Sequence, residues 1–316
     1  MHAHIAHGLT IKSEIDFPEL PKISANPEDT PDNHQDINPA ITIKYGPVDY
    51  TSKKVLDQGV FRIASHYILT KNSVFLIWDD IDICEIKPGK IIVNQYTGIE
   101  ENFLRSLIMG PAIGILLHLR GRLVLHASTI KINDVGVAFM GHNGAGKSTN
   151  TISFMKKGYP LVADDISSIK FKDNIPLVYP GIPRIKLWPE SLDLWDEDVE
   201  SFLIHSESRK RSCNVDNFHN ELIPLKHIYV IENSEKTFLG QFSPHQALIE
   251  LIKNSYSANI FQNSYQKTSL GEYAKIVKNV SIKQLNIERS LDKISEMIDL
   301  VERDVKGNDG NIDLRY

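Results

Sequence analysis

The chain has 316 residues, of which 41% are hydrophobic and 24% are charged, and its formal net charge is −5 at pH 7. This length allows one large domain or two of ordinary size, and the composition is that of a soluble globular protein. The negative charge argues against nonspecific binding to nucleic acids and to anionic membrane surfaces.

The amino-terminal residues 1–7 contain alternating histidines and lack the basic and then apolar pattern of a signal peptide. Alternating histidines can bind a metal weakly, but an ordinary polar amino terminus is the simpler interpretation. The only two cysteines, Cys84 and Cys213, lie far apart in the chain, which suits a reducing compartment and supports no disulfide framework. We therefore predict a cytoplasmic protein with no membrane or nucleic-acid partner.

A small β-rich module is predicted over residues 1–100. Strand-like runs recur at 8–15, 41–45, 60–64, 67–69, 73–78 and 91–96, and their spacing indicates a mostly antiparallel sheet. Residues 24–39 are rich in Pro, Asn and Asp and predict a surface loop or a disordered segment. The module can serve as a peptide-docking platform or as a structural cap, and the sequence leaves both open.

A second domain is predicted over residues 101–305, opening with a helix over residues 100–119. The apolar run within that helix is too short to span a bilayer, so we expect a buried core helix. The runs 123–126 and 135–140 are predicted as neighbouring core strands of an α/β domain. Further elements are a strand at 227–232, helices near 244–255, 270–278 and 290–302, and a loose tail over 306–316.

A complete G-x-x-x-x-G-K-S phosphate-binding loop lies between an apolar strand and a predicted helix over residues 149–157. Its glycines let the backbone wrap a phosphate, and successive N–H groups at the helix start form an anion cradle. Lys147 is expected to reach the outer phosphates of ATP, and the Ser148 hydroxyl to bind Mg²⁺. The predicted nucleotide-binding residues are Gly141, Asn143, Gly144, Ala145, Gly146, Lys147, Ser148 and Thr149.

Two carboxylates, Asp164 and Asp165, follow the apolar run 161–163, one helix downstream of this loop. Ligands of α/β nucleotide sites gather at the carboxyl ends of strands, so both side chains are expected near the phosphates. We assign Asp164 as the acceptor of a proton from an attacking hydroxyl, and Asp165 with Ser148 as the metal ligands. The order of residues does not show which aspartate faces the hydroxyl.

His126 and Arg184 complete the predicted catalytic set with Asp164 and Lys147. His126 ends the strand that precedes the phosphate-loop strand, where it can support charge near the γ-phosphate, help deprotonate a substrate or be a satisfied core residue. Arg184 stands between Pro183 and Ile185 on a constrained strand. It can bind an anionic group of the substrate or form a structural ion pair.

Two further polar segments have alternative interpretations. The pair Asp79-Asp80 follows a strand-like run but has no phosphate loop nearby, so it is predicted as a turn. The basic segment 208–211 is either a solvated surface loop or a mobile loop. In the second case Arg209 and Arg211 close over the triphosphate or grip a substrate carboxylate.

The local loop sequence is close to that of ABC transporter ATPases, but the chain lacks their signature motif and their later Asp-Glu strand. The order of His126, the phosphate loop and Leu161-Val162-Ala163-Asp164-Asp165 instead resembles the HPr serine kinase family. That resemblance implies a P-loop kinase core of the type shared with ATP-dependent phosphoenolpyruvate carboxykinases. It also implies ATP and Mg²⁺ as cofactors.

The chain further resembles a branch of this family found beside ribosomally made peptides, including lasso peptides, at residues 8–14, 121–128 and 181–188. Members of that branch phosphorylate a serine of the precursor peptide, in characterised cases the carboxyl-terminal one. Two features depart from HPr kinases proper: Thr149 stands where they usually carry Glu, and their carboxyl-terminal signature is missing. These departures weigh against HPr as the acceptor and against the reverse reaction.

The leading hypothesis is therefore an ATP-dependent serine kinase whose partner is a precursor peptide or small protein. The alternatives are a nucleotide-binding regulatory ATPase without a phosphoacceptor and an HPr kinase/phosphorylase acting on a carrier protein. A carboxykinase is conceivable from the shared core, but no oxaloacetate site is visible in the sequence. A homo-oligomer is left open, since no motif encodes the oligomeric state.

Overall fold

The computed structural model describes residues 1–22, 38–62, 65–95, 98–192, 194–195, 201–204, 209–256, 266–288 and 290–309. Within these residues the fold is mixed α/β, as predicted, with two large sheets and one small sheet. The loop predicted over 24–39 falls outside this part of the chain, except for its last two residues. The end of the predicted tail, 310–316, also lies outside it.

The first sheet is built from eight strands. They are β1 (His2–Ala6), β2 (Leu9–Ser13), β3 (Asn38–Tyr45), β4 (Val55–Arg62), β5 (Ser65–Thr70), β6 (Val74–Trp78), β7 (Ile81–Lys87) and β8 (Lys90–Val93). Their order is β1-β2-β3-β8-β7-β6-β5-β4, and only the β2–β3 and β3–β8 pairs are parallel. The predicted mostly antiparallel sheet is thus confirmed.

Strands β1 and β7 were not predicted. The residues of β1 looked like a polar amino terminus, but His4 and Ala6 are buried on the inner face of the sheet, so that interpretation was wrong. Imidazole rings count as polar in a hydropathy pattern, yet an unprotonated ring packs well in a core. In β7 the acidic residues Asp82 and Glu85 interrupt the apolar alternation that marks a strand.

A helical segment follows, made of α1 (Glu101–Leu107), a π-helical turn (Ile108–Ala112) and α2 (Ile113–Leu119). The turn contains Pro111, whose missing N–H prevents regular helical hydrogen bonding. By length and composition the whole segment could cross a membrane, but most of it is buried inside the fold. It packs against the first sheet in one apolar cluster, which confirms the predicted core helix. The boundary drawn at residue 100 stays a prediction.

The remaining elements begin with β9 (Leu123–Leu125), β10 (Ser128–Ile132), β11 (Val135–Met140), α3 (Lys147–Lys156), β12 (Leu161–Ala163), β13 (Ser167–Lys172), β14 (Ile175–Val178) and β15 (Arg184–Leu187). They continue with α4 (Pro189–Leu192), β16 (Ser201–Leu203), β17 (Arg211–Asn214), β18 (Ile223–Asn233), β19 (Phe238–Gln241), α5 (Pro244–Lys253), α6 (Gln266–Asn279), β20 (Ser281–Ile287) and α7 (Ile294–Asp309).

The second sheet has the order β12-β10-β11-β18-β14-β13-β9, with β20 paired to β18 and β19 paired to β20. Strands β15, β17 and β16 form the small sheet. Helix α7 packs with α3 in an apolar cluster that contains Phe139, Phe154 and Tyr229, and α5 and α6 contribute to a separate cluster. Because α7 is helical to Asp309, the start of the predicted loose tail is ordered helix, which corrects that prediction.

The prediction that residues 123–126 and 135–140 form neighbouring strands was wrong. Strand β9 pairs with β13, and the hairpin partner of β11 is β10. The chain leaves β9 at His126 and begins a new strand at Ser128. Strand β10 has the sequence Ser128-Thr129-Ile130-Lys131-Ile132. Because it begins with polar residues and has a charged residue inside, its sequence resembles a segment that leads into a turn.

Candidate active site

The phosphate loop and the aspartate pair lie at one edge of the second sheet. Strand β10 is antiparallel to both β11 and β12, so β11 and β12 run in the same direction. The loop follows β11 and Asp164 follows β12, which places them at the same edge, two strands or about 10 Å apart. Ser128, the first residue of β10, lies between them at that edge.

The phosphate loop has the backbone that its glycines were expected to provide. Gly141, Gly144 and Gly146 have φ values of 151°, 82° and 100°, a region that strains residues with side chains. A Cβ on Gly141 would come within 3.0 Å of the Ile231 carbonyl oxygen on β18. Helix α3 begins directly after Gly146, so the N–H groups of its first turn lie beside the loop.

Lys147 reaches back across the loop that precedes it. Its buried ammonium group donates to the carbonyl oxygens of Gly141 at 2.7 Å and His142 at 3.2 Å. Thr149, by contrast, shares a 2.8 Å hydrogen bond with Ser191 on α4. The hydroxyl of Thr149 thus ties the first turn of α3 to the neighbouring helix, while its role in nucleotide binding stays a prediction.

Asp164 is held rigidly by two donors from different strands. The Ser128 hydroxyl donates to Oδ1 at 2.5 Å, and the backbone N–H of Lys186 on β15 donates to Oδ2 at 2.9 Å. Each carboxylate oxygen keeps a second lone pair, so the group can still accept a proton or another hydrogen bond. The arrangement fixes the direction in which that acceptor points.

The environment of Asp164 raises the pKa of its carboxyl group above the ordinary value of 3.8. Burial is the largest cause, and repulsion from the Asp165 carboxylate adds to it. The hydrogen bonds from Ser128 and from the Lys186 N–H, with the Lys186 charge, oppose the rise because they favour the ionised form. A raised pKa makes a carboxylate a better proton acceptor than an ordinary surface aspartate.

Asp165 lies between two basic side chains. His126 Nε2 is 3.2 Å from its Oδ1, and Lys186 Nζ is 3.2 Å from its Oδ2. Asp165 has a φ of 67°, which turns its side chain away from the direction that a continuing strand would give. The structure therefore brings His126, predicted from its strand end, into the same cluster as the aspartate pair.

Sequence reasoning missed Ser128 and Lys186 as members of this cluster. A signal for Lys186 was present, because β15 alternates: Ile185 and Leu187 are buried in the core and Arg184 and Lys186 share the opposite face. Arg184 donates to the Asn214 side chain at 3.0 Å and lies 3.9 Å from the Glu19 carboxyl group. Both of its proposed roles therefore stay open.

A known family matches this part of the chain. Residues 118–181 match the family model described as HPr Serine kinase C-terminal domain. The segment is similar to the HPr kinase C-terminal domain. It contains His126, the phosphate loop and both aspartates, and it ends before Arg184.

A curated relative supports the same resemblance over the same short length. HPr kinase/phosphorylase 1 of Oceanobacillus iheyensis is 36% identical over 62 residues, which is 20% of this chain and 20% of the relative. The structure of the Hpr(Ser) kinase/phosphatase from Coxiella burnetii matches with a TM-score of 0.33 and 14% identity, covering 59% of this chain and 98% of that one. The chain thus aligns in sequence with about a fifth of its curated relative.

A cleft is lined partly by the HPr kinase-like segment and partly by residues outside that segment. Asp164, Asp165 and Arg184 line it from the second and small sheets. His7, Glu19 and Arg105 line it from the first sheet and from α1 and its neighbouring turns. The aspartate pair therefore lines the same cleft as the helical segment and two residues of the amino-terminal turns.

The residues present fit ATP and Mg²⁺. The loop presents N–H groups at a helix start, and at Gly144 an added Cβ would meet no atom within 4 Å, so the backbone there is open to a ligand. Among the described residues no group of three or more His, Cys, Asp and Glu side chains could hold a metal alone. Mg²⁺ usually takes one or two protein oxygens with phosphates and waters, which Ser148 and Asp165 could provide.

The other polar segments have ordinary structural partners. Asp79 and Asp80 form the turn between β6 and β7, as predicted. Arg209 pairs with Glu190 on α4 at 2.5 Å, and both side chains are exposed. Arg211 lies in β17 and donates to Ser201 on β16, so it joins two strands of the small sheet. Ser208 lies outside the described residues.

Proposed function

We propose that this protein is an ATP- and Mg²⁺-dependent kinase that transfers the γ-phosphoryl group to a serine hydroxyl. The observation that carries the proposal is the fixed Asp164 carboxylate at the sheet edge that also holds the phosphate loop. A nucleotide-binding protein without a phosphoacceptor has less need of a proton acceptor with a raised pKa. The resemblance of residues 118–181 to HPr kinases supports the same chemistry.

Each residue of the cluster has a distinct part in this reaction. Bound ATP with Mg²⁺ supplies the phosphoryl group and positive charge beside it. Asp164 takes the hydroxyl proton while the serine oxygen forms its bond to the γ-phosphorus and the bond to the bridging oxygen breaks. Lys147 and the loop N–H groups bind the outer phosphates. Asp165, held between His126 and Lys186, is the metal ligand together with Ser148.

We propose a serine of a ribosomally made precursor peptide as the acceptor, at or near its carboxyl end, in the cytoplasm and without a nucleic-acid or membrane partner. Supporting this choice, Thr149 replaces the Glu usual in HPr kinases, and its hydroxyl is bonded to Ser191. The second candidate is an HPr kinase/phosphorylase, favoured by the similarity of residues 118–181 to that family.

The test is a panel of acceptors incubated with Mg-ATP and analysed by intact-mass spectrometry. The panel contains purified HPr and synthetic peptides with one serine each, placed internally or at the carboxyl end. We expect a mass gain of one phosphate on peptides and none on HPr. Asp164→Asn should lower the rate at least about a hundredfold, the usual contribution of a positioned general base.

The matched control is Asp79→Asn, which makes the same change in the other aspartate pair, on an exposed turn far from the loop in sequence. That variant should keep wild-type activity. Phosphate transfer to HPr alone would favour the second candidate over a peptide kinase. Full activity in Asp164→Asn would contradict the assigned role of that carboxylate.

A further inference from the structure

The cleft in front of the aspartate pair is also lined by the helical segment and by two residues of the amino-terminal turns. His7 lies in the turn between β1 and β2, and Glu19 follows β2. Both line the cleft that also contains Asp164. The turns beside β1 and β2 therefore supply polar side chains to the cleft that contains the proposed proton acceptor.

His7 is carried into the cleft by a tightly anchored hairpin turn. Its N–H donates to the Pro180 carbonyl at 2.9 Å, and its own carbonyl accepts a hydrogen bond from the buried Arg122 guanidinium. Arg122 stacks on the Tyr179 ring, 4.1 Å from its centre. The turn is thus fixed to the second sheet, and the position of the imidazole is preorganised.

His7 has a backbone conformation that histidine does not favour. His7 and Gly8 have φ values of 51° and 64°, the pattern of a two-residue type I′ turn. Asn is preferred over His at the first position of such a turn. The imidazole is therefore present at a site where turn geometry alone would select a different side chain.

Both ring nitrogens of His7 are buried and have no hydrogen-bond partner. Burial is the main cause that lowers the pKa of this histidine to about 3, and the Arg122 charge adds to it, so the ring is neutral at neutral pH. A neutral imidazole carries one donor and one acceptor. A peptide group offers the complementary acceptor and donor.

Glu19 adds a second unpartnered group in the same cleft. Its side chain is only 6% exposed, and Oε2 has no hydrogen-bond partner. The Arg184 guanidinium lies 3.9 Å from the other oxygen, Oε1, so Oε2 remains to accept from a ligand. A buried polar atom without a partner is costly, so a ligand that supplies one is bound more favourably.

We propose that His7 and Glu19 form the acceptor-binding subsite, which holds the peptide groups beside the serine and directs its hydroxyl toward Asp164. The proposal rests on the proposed kinase function and deepens it. His7 and Glu19 act here as positioning residues, since neither takes part in the transfer. The acceptor is accordingly a polypeptide segment, and a free small alcohol lacks the groups that these two residues bind.

The test is a kinetic comparison of His7→Asn with the wild-type protein, using the synthetic serine peptide from the panel that is turned over fastest. We expect KM for the peptide to rise about tenfold, the effect of losing one hydrogen bond of ordinary strength. KM for ATP should stay within about twofold of wild type, because His7 lies on the acceptor side. Glu19→Gln should act in the same direction.

Two matched variants separate binding from folding. His4→Asn makes the same change at another buried histidine of the same hairpin, outside the cleft lining. Glu85→Gln does the same for a mostly buried glutamate of the first sheet that is paired with Lys87. Both controls should leave both KM values unchanged. His7→Asn should melt no lower than His4→Asn, because Asn suits the turn but not a strand.

The outcomes distinguish a failure of the acceptor-binding subsite from a failure of the kinase function. Suppose that wild type phosphorylates the peptide, but that His7→Asn and Glu19→Gln change the KM for the peptide no more than the controls do. The proposed subsite is then wrong, and the proposed kinase function is unaffected. The subsite is equally overturned if KM for ATP rises in parallel, since that indicates a general structural defect. If wild type phosphorylates no peptide and no protein in the panel, both the function and the subsite are overturned.

Discussion

The chemistry proposed for this protein depends on how a single carboxylate is held. Asp164 accepts hydrogen bonds on both oxygens, yet burial and the neighbouring Asp165 still raise the pKa of its carboxyl group. These opposing effects set the pH at which the group can accept a proton. Changing one hydrogen bond should therefore move that pH without removing the group.

We predict that Ser128→Ala shifts the acidic limb of the kcat/KM profile to higher pH. The Ser128 hydroxyl favours the ionised form of Asp164, so its removal raises the pKa of that carboxyl group further. A smaller fraction of the enzyme then has an ionised base at any given acidic pH. The profile is measured with the peptide substrate between about pH 5 and 8, where a shifted carboxylate titrates.

Ser167→Ala is the control for that measurement. Ser167 is buried beside Ser128, but its hydroxyl contacts Thr129 and the Ala127 carbonyl. Its profile should follow that of wild type. An unchanged acidic limb in Ser128→Ala would mean that Asp164 does not control the pH dependence.

The sequence predicted the site residues that belong to strong motifs, but it missed the residues that hydrogen-bond to them. The loop glycines, Lys147 and the aspartate pair were visible because spacing and residue type are both constrained there. Ser128 and Lys186 come from other strands, and only tertiary pairing brings them to Asp164. Lys186 could have been found from the alternation of β15, whereas no local pattern pointed to Ser128.

At the scale of elements, the hairpin of β1 and β2 joins the first sheet to distant residues of the second half of the chain. The Arg122 guanidinium donates to the Gly8 carbonyl, and the Pro180 carbonyl accepts from the His7 N–H. A Cβ on Gly8 would lie 2.2 Å from the Tyr179 ring, so only glycine fits there. These residues are distant in sequence but meet at the hairpin turn.

The same hairpin predicts a pH dependence of stability. The pKa of His7 falls from 6.5 in the unfolded chain to about 3 in the fold. Between these values the unfolded chain binds more protons, so stability is fully present above about pH 6.5 and is lost as the pH falls toward 3. At pH 5 the loss from this residue is about 2 kcal/mol.

Denaturant unfolding of wild type and His7→Asn at pH 7.5 and pH 5.0 measures this effect. Wild type should lose about 2 kcal/mol more than the variant between the two pH values, because Asn does not titrate. Other groups contribute equally to both proteins and cancel in the difference. Equal losses would show that the His7 ring is not held in its neutral form.

At the scale of the whole molecule, one apolar cluster joins the two large sheets. It contains residues of the first sheet such as Leu76, residues of the helical segment such as Leu116, and Val124 and Ile166 from the second half. Shared burial of this kind couples the unfolding of the parts. We therefore expect the parts on either side of residue 100 to unfold together.

We predict that Leu116→Ala lowers the free energy of unfolding by about 2–5 kcal/mol, because the side chain is fully buried and leaves a cavity. Unfolding should remain a single transition. Single-tryptophan variants that retain Trp78 in the first sheet or Trp188 after β15 report on the two halves. Their transitions should coincide, and separated midpoints would show independent domains.

The overall architecture was only partly readable from the sequence. Local periodicity identified most strands of the first sheet and the helices α5, α6 and α7, whereas α3 was predicted from its place after the phosphate loop. It could not give the order of the second sheet, where β9 leaves β10 and pairs with β13. Strand order depends on contacts between residues that are distant in sequence, and a local sequence pattern does not show which strands pair.

The most direct test of the central claim is the ratio of phosphoserine to ADP formed from Mg-ATP in the presence of the serine peptide. A kinase with Asp164 as its base should form the two products in equal amounts, and Asp164→Asn should form little of either. ADP formed without phosphoserine would contradict the account, because it would identify a nucleotide-hydrolysing regulator with no phosphoacceptor.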